Sequence, residues 1–141
     1  MIRIFDLQCA IEKVYILLKI SKTDIISNSF QNSYFSQIAL PPTVTEIGDY
    51  SFTESSNLRG ISIPSSVKKI GDYAFSGCSM LKEIIIPHSV ISIGDYAFSG
   101  CRSLKKIIFS PSIESIGNYA FANCYSLQYV TKPKSFICTY I

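Results

Sequence analysis

The sequence predicts a repeat solenoid, a stack of near-identical coils, and three observations carry that prediction. The hexapeptide Ile93-Gly-Asp-Tyr-Ala-Phe98 recurs as Ile47 to Phe52, Ile70 to Phe75 and, with Asn118 in place of Asp, Ile116 to Phe121. Each copy begins 23 residues after the last, with no insertion or deletion. Between copies lie short β-branched or aromatic runs such as Ile84-Ile85-Ile86 and Ile107-Ile108-Phe109. A period of this size marks stacked supersecondary units, none of which can bury its apolar face alone.

Composition agrees with one packed unit or a piece of a longer array. The chain has 141 residues, 48% of them hydrophobic, which is enough for a core. A net charge of +3, carried by scattered Lys and Arg, does not point to nucleic acid as a partner. Five cysteines cannot all be used by a closed disulfide framework.

Residues 1–24 lie outside the period and are expected to form an N-terminal cap or flanking segment. Ile4, Leu7, Ile11, Val14 and Leu18 are spaced as on one helix face, although the Ile and Val content also suits paired strands. A solenoid needs such a cap because its terminal coil otherwise exposes the core. A membrane-surface helix is the sharper alternative, but Asp6, Glu12 and Lys13 would give it a polar face of mixed sign. Those three residues also interrupt any signal-peptide core, and the apolar run Val14 to Leu18 is too short to span a bilayer. No export signal and no membrane insertion are therefore expected.

Residues 25–40 read as a degenerate repeat: Ile25 and Phe30 keep the Ile-to-Phe spacing, but the Gly, Asp and Tyr are missing. Four full units fill 41–132. Residues 133–141 begin a partial repeat with Pro133 and Phe136 and then lose the pattern.

Within a unit each position has a physical role. In Ile84-Ile85-Ile86, alternation sends Ile84 and Ile86 inward and Ile85 outward. Pro87 cannot donate to a ladder, so it ends that strand. Val90 to Ile93 is a second short extended piece with its two end residues facing in. Gly94 allows a tight, positive-φ bend. Asp95 stands where the N-cap of a one-turn helical corner belongs, with Ala97 and Phe98 in the core. Stacking turns each position into a column, so Phe52, Phe75, Phe98 and Phe121 form an aromatic spine beside the Leu58, Leu81, Leu104 and Leu127 column.

These residues resemble the BspA-like, or Treponema pallidum-type, leucine-rich repeat, whose consensus couples an LxxIxIP strand to an IGxxAFxxC turn. Leu81-x-x-Ile84-x-Ile86-Pro87 and Ile93-Gly-x-x-Ala97-Phe98-x-x-Cys101 meet every consensus position, and the match runs from about 41 to 132. Ser55 replaces the Cys in the first unit, and Ser110 the Pro in the fourth. The resemblance implies a right-handed solenoid with parallel strands and little helix. It also implies a surface or secreted interaction protein of adhesion type that binds host or matrix protein. Fold alone names no ligand.

Several columns could carry chemistry. Cys78, Cys101 and Cys124 read as small buried thiols, without the close pairs of a zinc site. Cys9 and Cys138 stand apart. Asp49, Asp72, Asp95 and Asn118 read as caps rather than as a calcium ladder. Tyr50, Tyr73, Tyr96 and Tyr119 read as half-packed neighbours of the spine. His88 is the lone histidine and no phosphate loop is present, so no enzyme activity, cofactor or metal is expected.

The expected contact surface is the outward side of the strand after each turn. It holds a basic ridge of Arg59, Lys82 and Lys105, with Glu83, Lys106 and Tyr129 in one column and Ile85, Ile108 and Thr131 in another. A protein partner is the natural fit for exposed isoleucines flanked by lysines. Two other roles remain open: an interaction scaffold inside the cell, favoured by the free thiols and missing signal, and a structural fragment of a longer array. The thin cover over the last coil would also suit end-to-end self-association.

Overall fold

A computed structural model describes the backbone of Asp24–Ile25 and residues 27–131. The expected cap over 1–24, the partial repeat over 133–141, Cys9 and Cys138 lie outside the described residues apart from that first strand.

Each coil contributes two short strands. The first set is β1 (Asp24–Ile25), β3 (Glu46–Ile47), β5 (Lys69–Ile70), β7 (Ser92–Ile93) and β9 (Ser115–Ile116), joined in that order into one parallel sheet. The second set is β2 (Gln37–Ala39), β4 (Gly60–Ser62), β6 (Glu83–Ile85), β8 (Lys106–Ile108) and β10 (Tyr129–Val130). Ile47 pairs with Ile70 and Ile70 with Ile93, which is the sequence period expressed as strand register. The degenerate unit joins the same sheet one residue short, with Ile25 opposite Ile47. The architecture is the expected parallel β-solenoid.

The columns pack as anticipated. Phe52, Phe75 and Phe98 are fully buried, and the ring centroids from Phe30 to Phe98 step by 5.1 Å with nearly parallel planes. The Leu58, Leu81 and Leu104 column and the Val44, Val67 and Val90 column are equally dry. Phe121 and Leu127, on the last described coil, are half-buried.

The corner departs from the capped helical turn in its details. Tyr73 N–H donates to Asp95 O (2.9 Å), Phe75 N–H to Ala97 O (2.7 Å) and Gly77 N–H to Ser99 O (2.8 Å), all on the following coil. The alternate amides, Ser76 and Cys78, bond three residues back within their own coil. Amides that a cap would satisfy are thus already taken by the next coil. Asp therefore does something else: Asp49 Oδ1 accepts Asp72 N–H (2.8 Å), Asp72 Oδ1 accepts Asp95 N–H (2.8 Å), and Asp95 Oδ1 accepts Asn118 N–H (2.7 Å). The acidic column is an intercoil hydrogen-bond ladder, and its last member can be Asn because only a donor N–H is needed there.

The positive-φ bend is also displaced from Gly94. The left-handed residues among those described are Tyr50, Tyr73, Tyr96 and Tyr119, at φ 53–57°, Glu54, Gly77, Gly100 and Asn123 at a second corner position, and Asn28 and Asn32 in the degenerate unit. Gly94 is required for a different reason: a Cβ there would lie 2.6 Å from both Asp72 N and Gly71 C of the preceding coil. Adjacent coils touch backbone to backbone at this point.

Candidate protein-binding face

Serial repetition makes most of the surface monotonous, so variable outward positions are where a partner could be distinguished. They lie on the second strand set. Arg59, Lys82 and Lys105 are exposed at its entrance and joined through their backbones, with Lys82 N–H to Arg59 O at 3.4 Å and Lys105 N–H to Lys82 O at 2.8 Å. Gln128 continues the column and ends its positive charge. Among the described residues the ion pair found is Lys69–Glu46 (3.2 Å), on the other sheet, where the carboxylate raises the Lys69 pKa through its hydrogen bond and charge.

Register places Glu83 beside Lys106 and Lys106 beside Tyr129. The Lys106 ammonium stands 5.6 Å from the Tyr129 ring centroid, a cation–π contact that orders both side chains. Ile85 is 59% exposed and Tyr129 54%, while Ile108 is half-exposed. Thr131 serves the fold rather than the surface: its hydroxyl accepts Phe109 N–H at 2.6 Å and donates to Phe109 O at 3.2 Å. The face thus unites eight of the nine expected residues as outward groups and turns the ninth hydroxyl inward.

The second strand set is not one sheet. β2 pairs with β4, and β8 pairs with β6 on one side and β10 on the other, but no ladder joins β4 to β6. At this seam Ile61 and Ile63 are half-exposed, whereas their equivalents Ile84, Ile86 and Ile107 are buried. The result is a cleft of about 390 Å³ with apolar walls from Ile61, Ile63, Ile85 and Pro87. Gly60 and Ser62 line it with small residues, and Gln37 and Glu83 with polar ones. A neighbouring hollow of about 320 Å³ is lined by Tyr34, Ser36, Asn57 and Arg59. Sequence reasoning missed both. The available signal was Gly60 and Ser62, small residues at outward positions that carry Glu83 and Ile85 one period later.

The remaining columns are structural. Cys78, Cys101 and Cys124 are free thiols, donating to Phe52 O, Phe75 O and Phe98 O at 3.2 Å each. Ser55 takes the same role toward Phe30 O at 2.9 Å. Burial pushes the Cys78 thiol up to about 12 and the Cys124 thiol up to about 11, and burial with the flanking thiols raises Cys101 as well. Groups so reluctant to ionise are poor nucleophiles. The four tyrosines stack at 4.8, 4.9 and 5.2 Å. Burial, then the adjacent Tyr96 and Tyr50, raises the Tyr73 pKa. Among the described residues no cluster of His, Cys, Asp and Glu could hold a metal, and no helix is long and apolar enough to cross a membrane.

A 23-residue parallel solenoid with a Phe spine and an LxxIxIP strand defines a leucine-rich-repeat protein. Comparison with known families sharpens that class: residues 23–140 match the BspA type leucine rich repeat region in six copies, and the chain belongs to that family. It is similar to a leucine-rich repeat protein of Bacteroides ovatus, with 43% identity and a TM-score of 0.75 over 80% of this chain and 30% of that one. The T. pallidum leucine-rich repeat protein gives 30% identity and a TM-score of 0.77 over 79% of this chain and 52% of that one. A leucine rich cell surface protein from Faecalibacterium prausnitzii gives 25% identity and a TM-score of 0.63, over 79% and 36% respectively. The chain therefore spans between about a third and a half of these relatives' length. No curated protein matches it.

Proposed function

We propose that the chain is a protein-recognition module of adhesion type, displayed at the cell surface or secreted, which binds host or matrix protein through the strand face. The observation that carries this reading is Ile85: a large aliphatic side chain, 59% exposed, on a face where the neighbouring column changes at every coil through Gly60, Glu83, Lys106 and Tyr129. Exposing it has no folding rationale, because its neighbours Ile84 and Ile86 already supply the core. Arg59, Lys82, Lys105 and Lys106 around it would select for an acidic or mixed-charge partner surface. The likeness to a cell surface protein of F. prausnitzii supports the location. Recognition rather than catalysis suits a family built on a repeated scaffold.

Binding of the purified chain to intact host cells and to immobilised matrix proteins, measured by surface plasmon resonance, tests the reading. The double variant Ile85→Glu, Ile108→Glu is expected to lose binding at least tenfold while its melting curve stays unchanged; full binding by that variant assigns recognition to another face.

A second reading, an interaction scaffold inside the cell, has the free thiols Cys78, Cys101 and Cys124 in its favour, because disulfides are scarce in reducing compartments. Fractionation of the source cells separates the two. A purely cytosolic signal would remove the adhesion reading.

A further inference from the structure

We propose that the seam between β4 and β6, together with the hollow beside Arg59, is a peptide-anchoring site. Its occupant is an extended segment of a partner protein that carries an acidic and an aliphatic side chain two residues apart. The inference rests on the strand-face reading and makes its partner specific.

The argument begins with spacing. Arg59 precedes Ile61 by two positions, roughly 7 Å along an extended backbone at about 3.3 Å per residue. An extended ligand lying along β4 presents its own same-side residues at that interval. Its acidic member would enter the hollow of Tyr34, Ser36, Asn57 and Arg59. There a guanidinium and polar neighbours face a carboxylate, with no protein acid among the lining residues. The aliphatic member would enter the seam cleft, between Ile61, Ile63 and Ile85.

Gly60 lies between the two subsites, and the Gln37 side-chain amide fills the space that a Cβ there would take, so it is the amide that faces a ligand backbone. The Gln37 side chain lies across the Gly60 Cα, and Glu83 stands at the cleft. Both can accept N–H groups from the ligand backbone. Charge complementarity favours this occupant over a nucleic acid, since Glu83 would repel a continuous phosphate chain while a single acidic side chain at Arg59 avoids it.

The test uses a random decapeptide library displayed on phage, selected against the folded chain, with affinities of synthetic fluorescein-labelled clones measured by anisotropy. The expected consensus contains Asp or Glu two residues from Leu, Ile or Val. Arg59→Ala and Ser62→Phe, which fills the cleft from an exposed position, should each weaken such clones at least tenfold. Lys69→Ala, on the opposite sheet, should leave them unchanged, and a melting curve establishes that each variant is folded. A pool without the paired motif overturns the proposal, as does loss of the aliphatic residue without effect, which would mean binding by charge alone. Clones that ignore Arg59→Ala and Ser62→Phe but lose affinity with Ile108→Glu would overturn the anchoring site and leave the strand-face reading standing. Clones indifferent to all three variants would remove both.

Discussion

Asp72 Oδ1 accepts the backbone N–H of Asp95 from the following coil at 2.8 Å, and the same bond recurs one coil earlier and one later. What reads along the chain as a local cap is therefore a rung between coils. The bond needs an acceptor oxygen, not a charge. Asp72→Asn should retain stability to within about 0.5 kcal/mol, whereas Asp72→Ala should lose on the order of 1 kcal/mol at this solvent-exposed site. Urea denaturation of the two variants measures the difference. Equal losses would give the charge itself a role.

Gly94 and Gly100 illustrate two different demands for glycine. A Cβ at Gly94 would strike backbone atoms at 2.6 Å, and backbone cannot swing aside. At Gly100 the nearest atom would be 3.5 Å away, leaving the φ of +76° as the difficulty. Gly100→Ala is expected to cost roughly 1–2 kcal/mol, the usual left-handed penalty. Gly94→Ala should cost more, about 3 kcal/mol or above, in line with severe core overpacking. A reversed order in thermal melts would contradict this account of coil spacing.

Tyr96 holds a left-handed backbone at φ 53° while its ring stacks 4.9 Å from Tyr73 and 5.2 Å from Tyr119. Alanine at this position would keep the strain and lose the stack. Glycine would lose the stack and relieve the strain, so Tyr96→Gly should be more stable than Tyr96→Ala by about 1 kcal/mol. This inverts the order found in helices. Circular dichroism melts of the pair decide it.

Alkaline pH should act on the thiol column. Cys78 is raised from its ordinary 9 to about 12 by burial, so the unfolded chain releases its proton first. Stability from this group is complete below pH 9 and is lost as pH rises toward 12. The loss should reach about 2 kcal/mol by pH 10.5, at about 1.4 kcal/mol per pH unit. Cys78→Ser, the residue that already stands one coil earlier at Ser55, should make the stability-against-pH slope shallower over that window. Parallel slopes in denaturant titrations at pH 8 to 11 would show that other groups dominate.

Much of the fold was legible because translation along the solenoid converts sequence periodicity directly into contact. Identical residues at a fixed interval must stack if the coils do, so Phe75 over Phe98 and Leu81 over Leu104 follow from the period alone. Which strand residues face outward was equally plain, since alternation in Ile84-Ile85-Ile86 has one reading when one side is a core. The corner was less legible. A local interpretation of Asp95 and Gly94 assumed that each coil satisfies its own backbone, and the coils instead satisfy one another.

The sequence by itself determined the period, the buried columns and the outward residues of the candidate face, because these depend on apolar pattern and pleat. Tertiary structure alone decided which backbone groups pair across coils, which residues turn left-handed, and where the strand face opens. The seam between β4 and β6 is the clearest case. Gly60 and Ser62 announce small side chains, but a cleft exists only because β4 pairs with β2 and not with β6, an outcome set by how three consecutive coils settle against one another.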